Sequence, residues 1–444
     1  YVDEVITDPL ITNLTNPGSI KSITQNKQMG TTEFVLSNGV KVILKSTDFK
    51  ADEIRMMAFR KGGKQAYSKD QAANVQMMND AVELSKLGNF DVNTMKKYLA
   101  GKTVSLGYAV NNYTDVLEGS SSVKDFGTLA EVIYAYFTEL NPDETTYKSQ
   151  IEKIIPIFEA QAQLPEIIFL KKLNNTIYGN NPLMDRVDVE ILKKADYNTM
   201  LSMAKKTLEN AADYTFIFVG NVDEATLRPI LEQYIATLPS KGKPSEFKAV
   251  TSLDPVKGIV TEKYDQPMQS PKTNVYSLYS GSNLKWDIKN DIMVDLMGDV
   301  LNMVYVETIR EDEGGTYGAS VSSMFNFSTG IWQLSYYYET GEEKLERLEA
   351  RAKKELDDLL HNGAKADHFN KVKEAAIKQY EINSKTNSYW TGTIMNAERG
   401  ANNYAGYIET LQSLTLEEFN KFLKSVYDGK NHIEEIMVGK EAAK

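Results

Sequence analysis

Apolar and polar positions alternate from Phe34 to Leu44 on either side of Asn38-Gly39, which predicts a β-hairpin closed by a type I′ turn. A second strand, Ile54 to Phe59, should end at Gly62-Gly63. Ahead of Thr32 the chain is polar, rich in Asn, Thr, Pro and Gly, and weakly periodic, so residues 1–31 read as a connecting arm. Farther on, Ile292, Val294, Leu296, Val300, Leu301, Val304 and Ile309 mark a helix from about Asp287, too apolar for a free surface and therefore expected against a sheet. Gly314 and Gly315 should stop it by supplying positive-φ positions, and a strand from Thr316 to Phe327 should pair through Ser328-Thr329-Gly330 with Ile331 to Glu339. Alternation along that second strand sends Trp332 and the run Tyr336-Tyr337-Tyr338 to both faces, as core and edge aromatics or as a platform for a peptide or glycan.

The pattern repeats at one offset. A shift of 219 residues lays Leu192–Asn221 on Leu411–Lys440 without a gap. Asp196 and Thr415 both stand at an N-cap position, and Glu418 completes a capping box in the second copy. Tyr197, Met200, Met203, Ala204 and Thr207 then fall on Leu416, Phe419, Phe422, Leu423 and Val426, one apolar helical stripe on another. The same shift lays Met56 to Phe59 on Val275 to Leu278, and Gly62 on Gly281. The period is too long for a solenoid, which implies duplicated domains. The expected architecture is α+β: two homologous domains, 32–238 and 254–444, each a mostly antiparallel sheet with helices packed on one face, joined by a linker at 239–253.

Composition narrows the function classes. No apolar run approaches the roughly 18 residues of a membrane span, and 50 Lys plus Arg against 61 Asp plus Glu give a formal charge of -11, which opposes nucleic-acid binding in the absence of a basic patch. The lack of cysteine excludes disulfides and thiolate metal sites. The chain opens with Tyr1 and is read as an excised fragment of something longer.

Chemistry is sparse. The three histidines, His361, His368 and His432, all come late, and His361 and His368 offer no third ligand at a metal spacing; exposed helix-end histidines are the expectation. There is no Gly-rich phosphate loop and no Gly-x-Ser-x-Gly elbow. What stands out is Ile309 to Ser320, where Arg310 precedes the glycine pair and Tyr317 follows it. One reading makes Arg310 a cation capping the helix C-terminus and Tyr317 a half-buried strand aromatic. In the other, both are neutral-pH donors converging on a peptide carbonyl or a developing oxyanion.

The order of these pieces resembles the insulinase, or pitrilysin, family of zinc peptidases, specifically their non-catalytic C-terminal half. The likeness rests on LSNGVKVILK (Leu36 to Lys45) with TDFKADEI after it, on AFRKGG, on REDEGGTYG, and on FNKVKEAAIKQYEINSKTNSYW (Phe369 to Trp390). Active halves of that family carry an inverted His-x-x-Glu-His motif on the helix after the second strand; here that helix, about Asp70 to Leu87, holds no histidine. The resemblance therefore implies a chain inactive alone that binds no metal, with zinc in a partner catalytic half. It also implies a peptide substrate, and Arg310 and Tyr317 as its substrate-binding and transition-state residues. The arm resembles the linker between halves of fused family members, which favours a half that closes a peptide-degrading chamber. A separate inactive subunit and an unrelated peptide- or glycan-binding scaffold are the alternatives. A cysteine-free chain of this kind suggests a bacterial periplasm or cell envelope.

Overall fold

The computed structural model describes residues 5–314, 316 and 318–442. Two compact units divide the chain, and they do not follow its linear halves. Unit 1 takes residues up to 160, 187–253 and 383–400; unit 2 takes 161–186, 254–382 and those from 401 on.

Unit 1 holds a seven-stranded sheet built from β1 (Ile20–Asn26), β2 (Thr31–Leu36), β3 (Lys41–Ser46), β4 (Ile54–Lys61), β5 (Val104–Val110), β6 (Thr114–Ser121) and β7 (Thr215–Gly220), in the order β1-β2-β3-β7-β4-β6-β5. Strand β1 lies inside the segment read as an arm and pairs antiparallel with β2, while Leu10 and Ile11 ahead of it are buried. The stretch reads as a linker because β1 is an exposed edge strand, and polar residues satisfy an edge strand as well as a loop. The β2–β3 hairpin forms, but not on the expected turn. The Gly39 N–H donates to the Leu36 carbonyl, Leu36 N–H donates to Val40, and only Gly39 of the loop has positive φ, at +84°. That is a three-residue loop ending in a left-handed glycine, whereas a type I′ turn would need Asn38 left-handed too.

Unit 2 holds a five-stranded sheet of β8 (Ile259–Met268), β9 (Thr273–Gly281), β10 (Ala319–Asn326), β11 (Ile331–Thr340) and β12 (Asn431–Glu441), in the order β8-β12-β9-β11-β10. Each sheet is antiparallel except for one pair, β3 with β7 and β8 with β12, and these pairs are equivalent under the 219-residue shift. The shift also joins α5 (Tyr197–Thr207) to α10 (Leu416–Val426) end for end. Both expected caps are made: Asp196 accepts from Thr199 N–H, and Thr415 and Glu418 close a capping box. At the closing strands the register slips by one residue. Lys41 pairs with Thr215, but Val260, its equivalent, pairs with Ile433 and not with Glu434.

The helices explain why the compact units and the linear halves differ. On one face of the first sheet, α2 (Phe126–Thr138) packs Phe126 on Phe218 and Phe137 on Phe216. The opposite face receives α9 (Asn387–Glu398), whose Trp390 lies under Lys45 Nζ at 3.9 Å and whose Glu398 binds Lys41 at 2.6 Å. In unit 2 the corresponding face is covered by α4 (Pro165–Tyr178), through Phe169, Leu173 and Ile177 against Leu278, Ile433 and Met437. Each linear half thus gives one helix to the other unit. The segment 239–253 has no regular structure and is strapped to unit 1, where Ser240 Oγ donates to the Asn38 carbonyl and Val250 N–H to Gln65.

Candidate functional site

Helix α6 (Ile288–Tyr305) brings the opening residues of the candidate site out of the core. As its composition requires, it is buried along Ile292, Val294, Leu296, Val300, Leu301 and Tyr305. It does not stop at the glycines as an α-helix. From Val306 to Asp312 it widens into a π-helical turn, in which Glu313 N–H reaches back five residues to the Thr308 carbonyl at 3.2 Å. Ile309 points into the core and Arg310 is exposed on the turn. The Arg310 side chain is exposed, and its guanidinium is a fork of five N–H donors. Gly314 is left-handed, with φ +56°, as a helix stop should be. Gly315 and Tyr317 lie outside the described residues. The strand expected from Thr316 is described from Ala319.

The turn is tied at both ends to its neighbours. His368, in the first turn of α8 (Ala366–Asn383), has its Nε2 3.0 and 3.1 Å from the two Glu307 carboxylate oxygens. Since a carboxylate only accepts, the imidazole donates. This corrects the expectation of an exposed His368: the side chain is buried, because α8 packs its first turn against the turn after α6. His361 is exposed, its Nδ1 2.8 Å from the Asp357 carbonyl, and His432 is half-buried on β12. At the other end Glu313 binds Arg347 at 2.8 Å and Arg351 at 3.3 Å, both on α7 (Glu342–Asn362). Lys344 of the same helix donates to the Gly314 carbonyl at 3.2 Å. Sequence reasoning missed these contacts. The spacing of Glu307, Arg310 and Glu313 by three was the visible signal, but the partners of Glu307 and Glu313 lie 34 or more residues away.

The helix that follows β4 is α1 (Ala72–Glu83). Ala72, Ala73, Val75, Met77, Met78, Ala81 and Val82 are its buried side, and the polar positions are occupied with structural bonds. Asn74 accepts from Asp196 N–H at 2.8 Å, Gln76 from Lys64 at 3.0 Å, and Asn79 from Val110 N–H at 2.9 Å. Burial, with Glu83 close by, pushes the Asp80 carboxyl above its ordinary range. These residues do not fit zinc, and among the described residues no three His, Asp or Glu side chains gather as a metal site. The end of β4 is a structural ion-pair knot. Arg60 meets Asp115 at 2.9 Å and Asp213 at 3.1 Å, and Gly63, with φ +75°, donates its N–H to Asp115. A Cβ on Gly62 would collide with that carboxylate, which accounts for the glycine pair.

The tyrosines of β11 are not a platform. Trp332, Tyr336 and Tyr338 are buried under the helices of unit 2, and Tyr337 packs against Phe169 of α4, ring centroids 6.1 Å apart. Among the described residues no helix is long and apolar enough to cross a membrane.

Comparison with known proteins adds a family to this geometry. The family described as the peptidase M16 inactive domain matches residues 198–376. The chain is 22% identical over 409 residues to a zinc protease PQQL-like protein of Arabidopsis thaliana, covering 88% of this chain and 40% of the relative. It is 20% identical to the probable zinc protease PqqL of Escherichia coli, covering 88% and 42%. It therefore spans less than half the length of these curated relatives. Among solved structures, the periplasmic protease PqqL of Escherichia coli superposes with a TM-score of 0.86 at 18% identity, over 99% of this chain and 49% of that one. An M16 inactive domain of Pseudomonas fluorescens gives 0.73 at 16% identity, over 93% and 99%.

Proposed function

We propose that this chain, whose residues 198–376 match the peptidase M16 inactive domain and which resembles PqqL-type zinc proteases along most of its length, is the substrate-binding half of a zinc peptidase, closing a peptide-degrading chamber against a catalytic half. The observation that carries this is α1, where a catalytic half would need histidines and this chain has an apolar face and asparagines already committed to backbone N–H groups. A half without its own metal would contribute binding and electrostatic stabilisation, and the exposed cation of Arg310 on the 306–312 turn suits that role. In this reading Arg310 binds the peptide and Tyr317, beyond the left-handed Gly314, supports the transition state as a neutral donor.

The fused form is favoured over a separate subunit. The fit to the Escherichia coli protease, 0.86 over 49% of that chain, exceeds the 0.70 obtained on the first half of that protease alone, which supports a place outside the first half. That Escherichia coli protease is periplasmic, and the periplasm is the compartment proposed here. In a test of the whole reading, the chain alone is expected to hold no stoichiometric zinc and cleave no peptide. Cleavage should appear when a half bearing His-x-x-Glu-His is supplied. One zinc per chain in the isolated protein, or peptide hydrolysis by it, would contradict the proposal.

A further inference from the structure

The turn that carries Arg310 has an uncommon geometry held by specific contacts. A π turn contains one residue more than an α turn and is intrinsically less favourable, so it persists where its surroundings favour it. Here Glu307, Arg310 and Glu313 are spaced by three; the outer two are fastened and the middle one is exposed. Glu307 is held by His368 from α8, and Glu313 by Arg347 and Arg351 from α7. Arg347 also donates to the Glu313 carbonyl at 3.2 Å. Apolar packing does not by itself fix the turn on this side. A cavity of about 380 Å³, lined by Val304, Glu307, Thr308, Glu355, Leu359 and His368, lies beside it, and Ile309 is its buried apolar anchor. Reversion of the turn to α geometry would change the backbone register within residues 306–312 and rotate the residues after it by roughly 100° about the axis, so Arg310, inside the turn, would be displaced from its present place.

We propose that His368, acting through Glu307, and Arg347 with Arg351, acting through Glu313, are positioning residues that fix the register of the 306–312 turn and with it the place of Arg310. The proposal rests on the reading of Arg310 as a substrate-binding residue, and two measurements keep the two ideas apart. The first is hydrogen exchange on this chain. His368→Leu, which removes the donor, is expected to speed exchange over residues 306–314 roughly tenfold while 288–305 keep their protection. His368→Gln, which retains an N–H donor, is expected to restore most of it. Arg347→Met opens the outer clasp without touching the buried histidine and should give the same pattern, so the test survives if His368→Leu does not fold.

The second measurement is kinetic, in the protein carrying both halves. His368→Leu is expected to raise KM for a peptide about fivefold with kcat within about twofold, and to cost nothing further when combined with Arg310→Ala, because both remove one interaction. Unchanged exchange over 306–314 in His368→Leu and Arg347→Met would overturn the proposal, as would losses that add in the double variant. If Arg310→Ala alone left the kinetics at wild type, the substrate-binding reading would fail, and the exchange result would still decide whether the clasps set the turn.

Discussion

The imidazole of His432 lies flat on the phenol ring of Tyr279, centroids 4.1 Å apart and planes 13° from parallel. Its Nε2 is 3.3 Å from Ser277 Oγ, and burial, aided by the Lys353 ammonium, holds its pKa down to about 4 against an ordinary 6.5. A base held below its ordinary value binds fewer protons in the folded chain than in the unfolded one. Folding stability is therefore full above pH 6.5 and falls as pH drops from 6.5 toward 4. His432→Phe keeps the stacked ring and removes the titration. Denaturant melts of the variant across that window should show a flatter pH profile than wild type; equal slopes would contradict the assignment.

Arg60 is the cation of the knot at the end of β4, and Asp115 beneath it is buried. Burial pushes the Asp115 carboxyl up even with the guanidinium alongside, so desolvation outweighs the attraction there. Arg60→Met should destabilise unit 1 by about 3–5 kcal/mol, because it leaves a buried carboxylate unpaired. Arg60→Met with Asp115→Asn should recover part of that loss, and equilibrium unfolding of the two variants measures it.

Phe169 belongs by sequence to the first half and by packing to the second sheet, with Leu173, Met268, Ile433 and Met437 around it. Phe169→Ala should cost about 3–5 kcal/mol as a core cavity. Hydrogen exchange should accelerate in β8 and β12, not in β3 and β7. The opposite distribution would contradict the exchange of helices.

Legibility followed range. The N-caps at Asp196 and Thr415 and the hairpin around Asn38-Gly39 are local, and the 219-residue shift exposed the equivalence of α5 and α10 because both keep the same apolar stripe. The exchange of α4 and α9 could not be read, since an apolar stripe such as Phe169, Leu173 and Ile177 does not state which sheet it covers. Nor could the slip at β12. It brings Glu434, not Glu435, to the place that Phe216 fills in the first sheet, and Glu434 is tolerated there because Lys353 binds it at 3.2 Å and Ser277 at 3.1 Å. At the candidate site, sequence singled out Arg310 but not the π turn, whose partners His368, Arg347 and Arg351 come from two later helices.

The most direct test of the account is steady-state kinetics of Arg310→Ala and Tyr317→Phe in the protein carrying both halves. Tyr317→Phe is expected to lower kcat by about 10² to 10³ with a smaller change in KM, as for a lost donor to a developing oxyanion, while Arg310→Ala raises KM. Wild-type kinetics in both variants, with normal folding, would contradict the account and leave Arg310 a cation on a helix end and Tyr317 a strand aromatic.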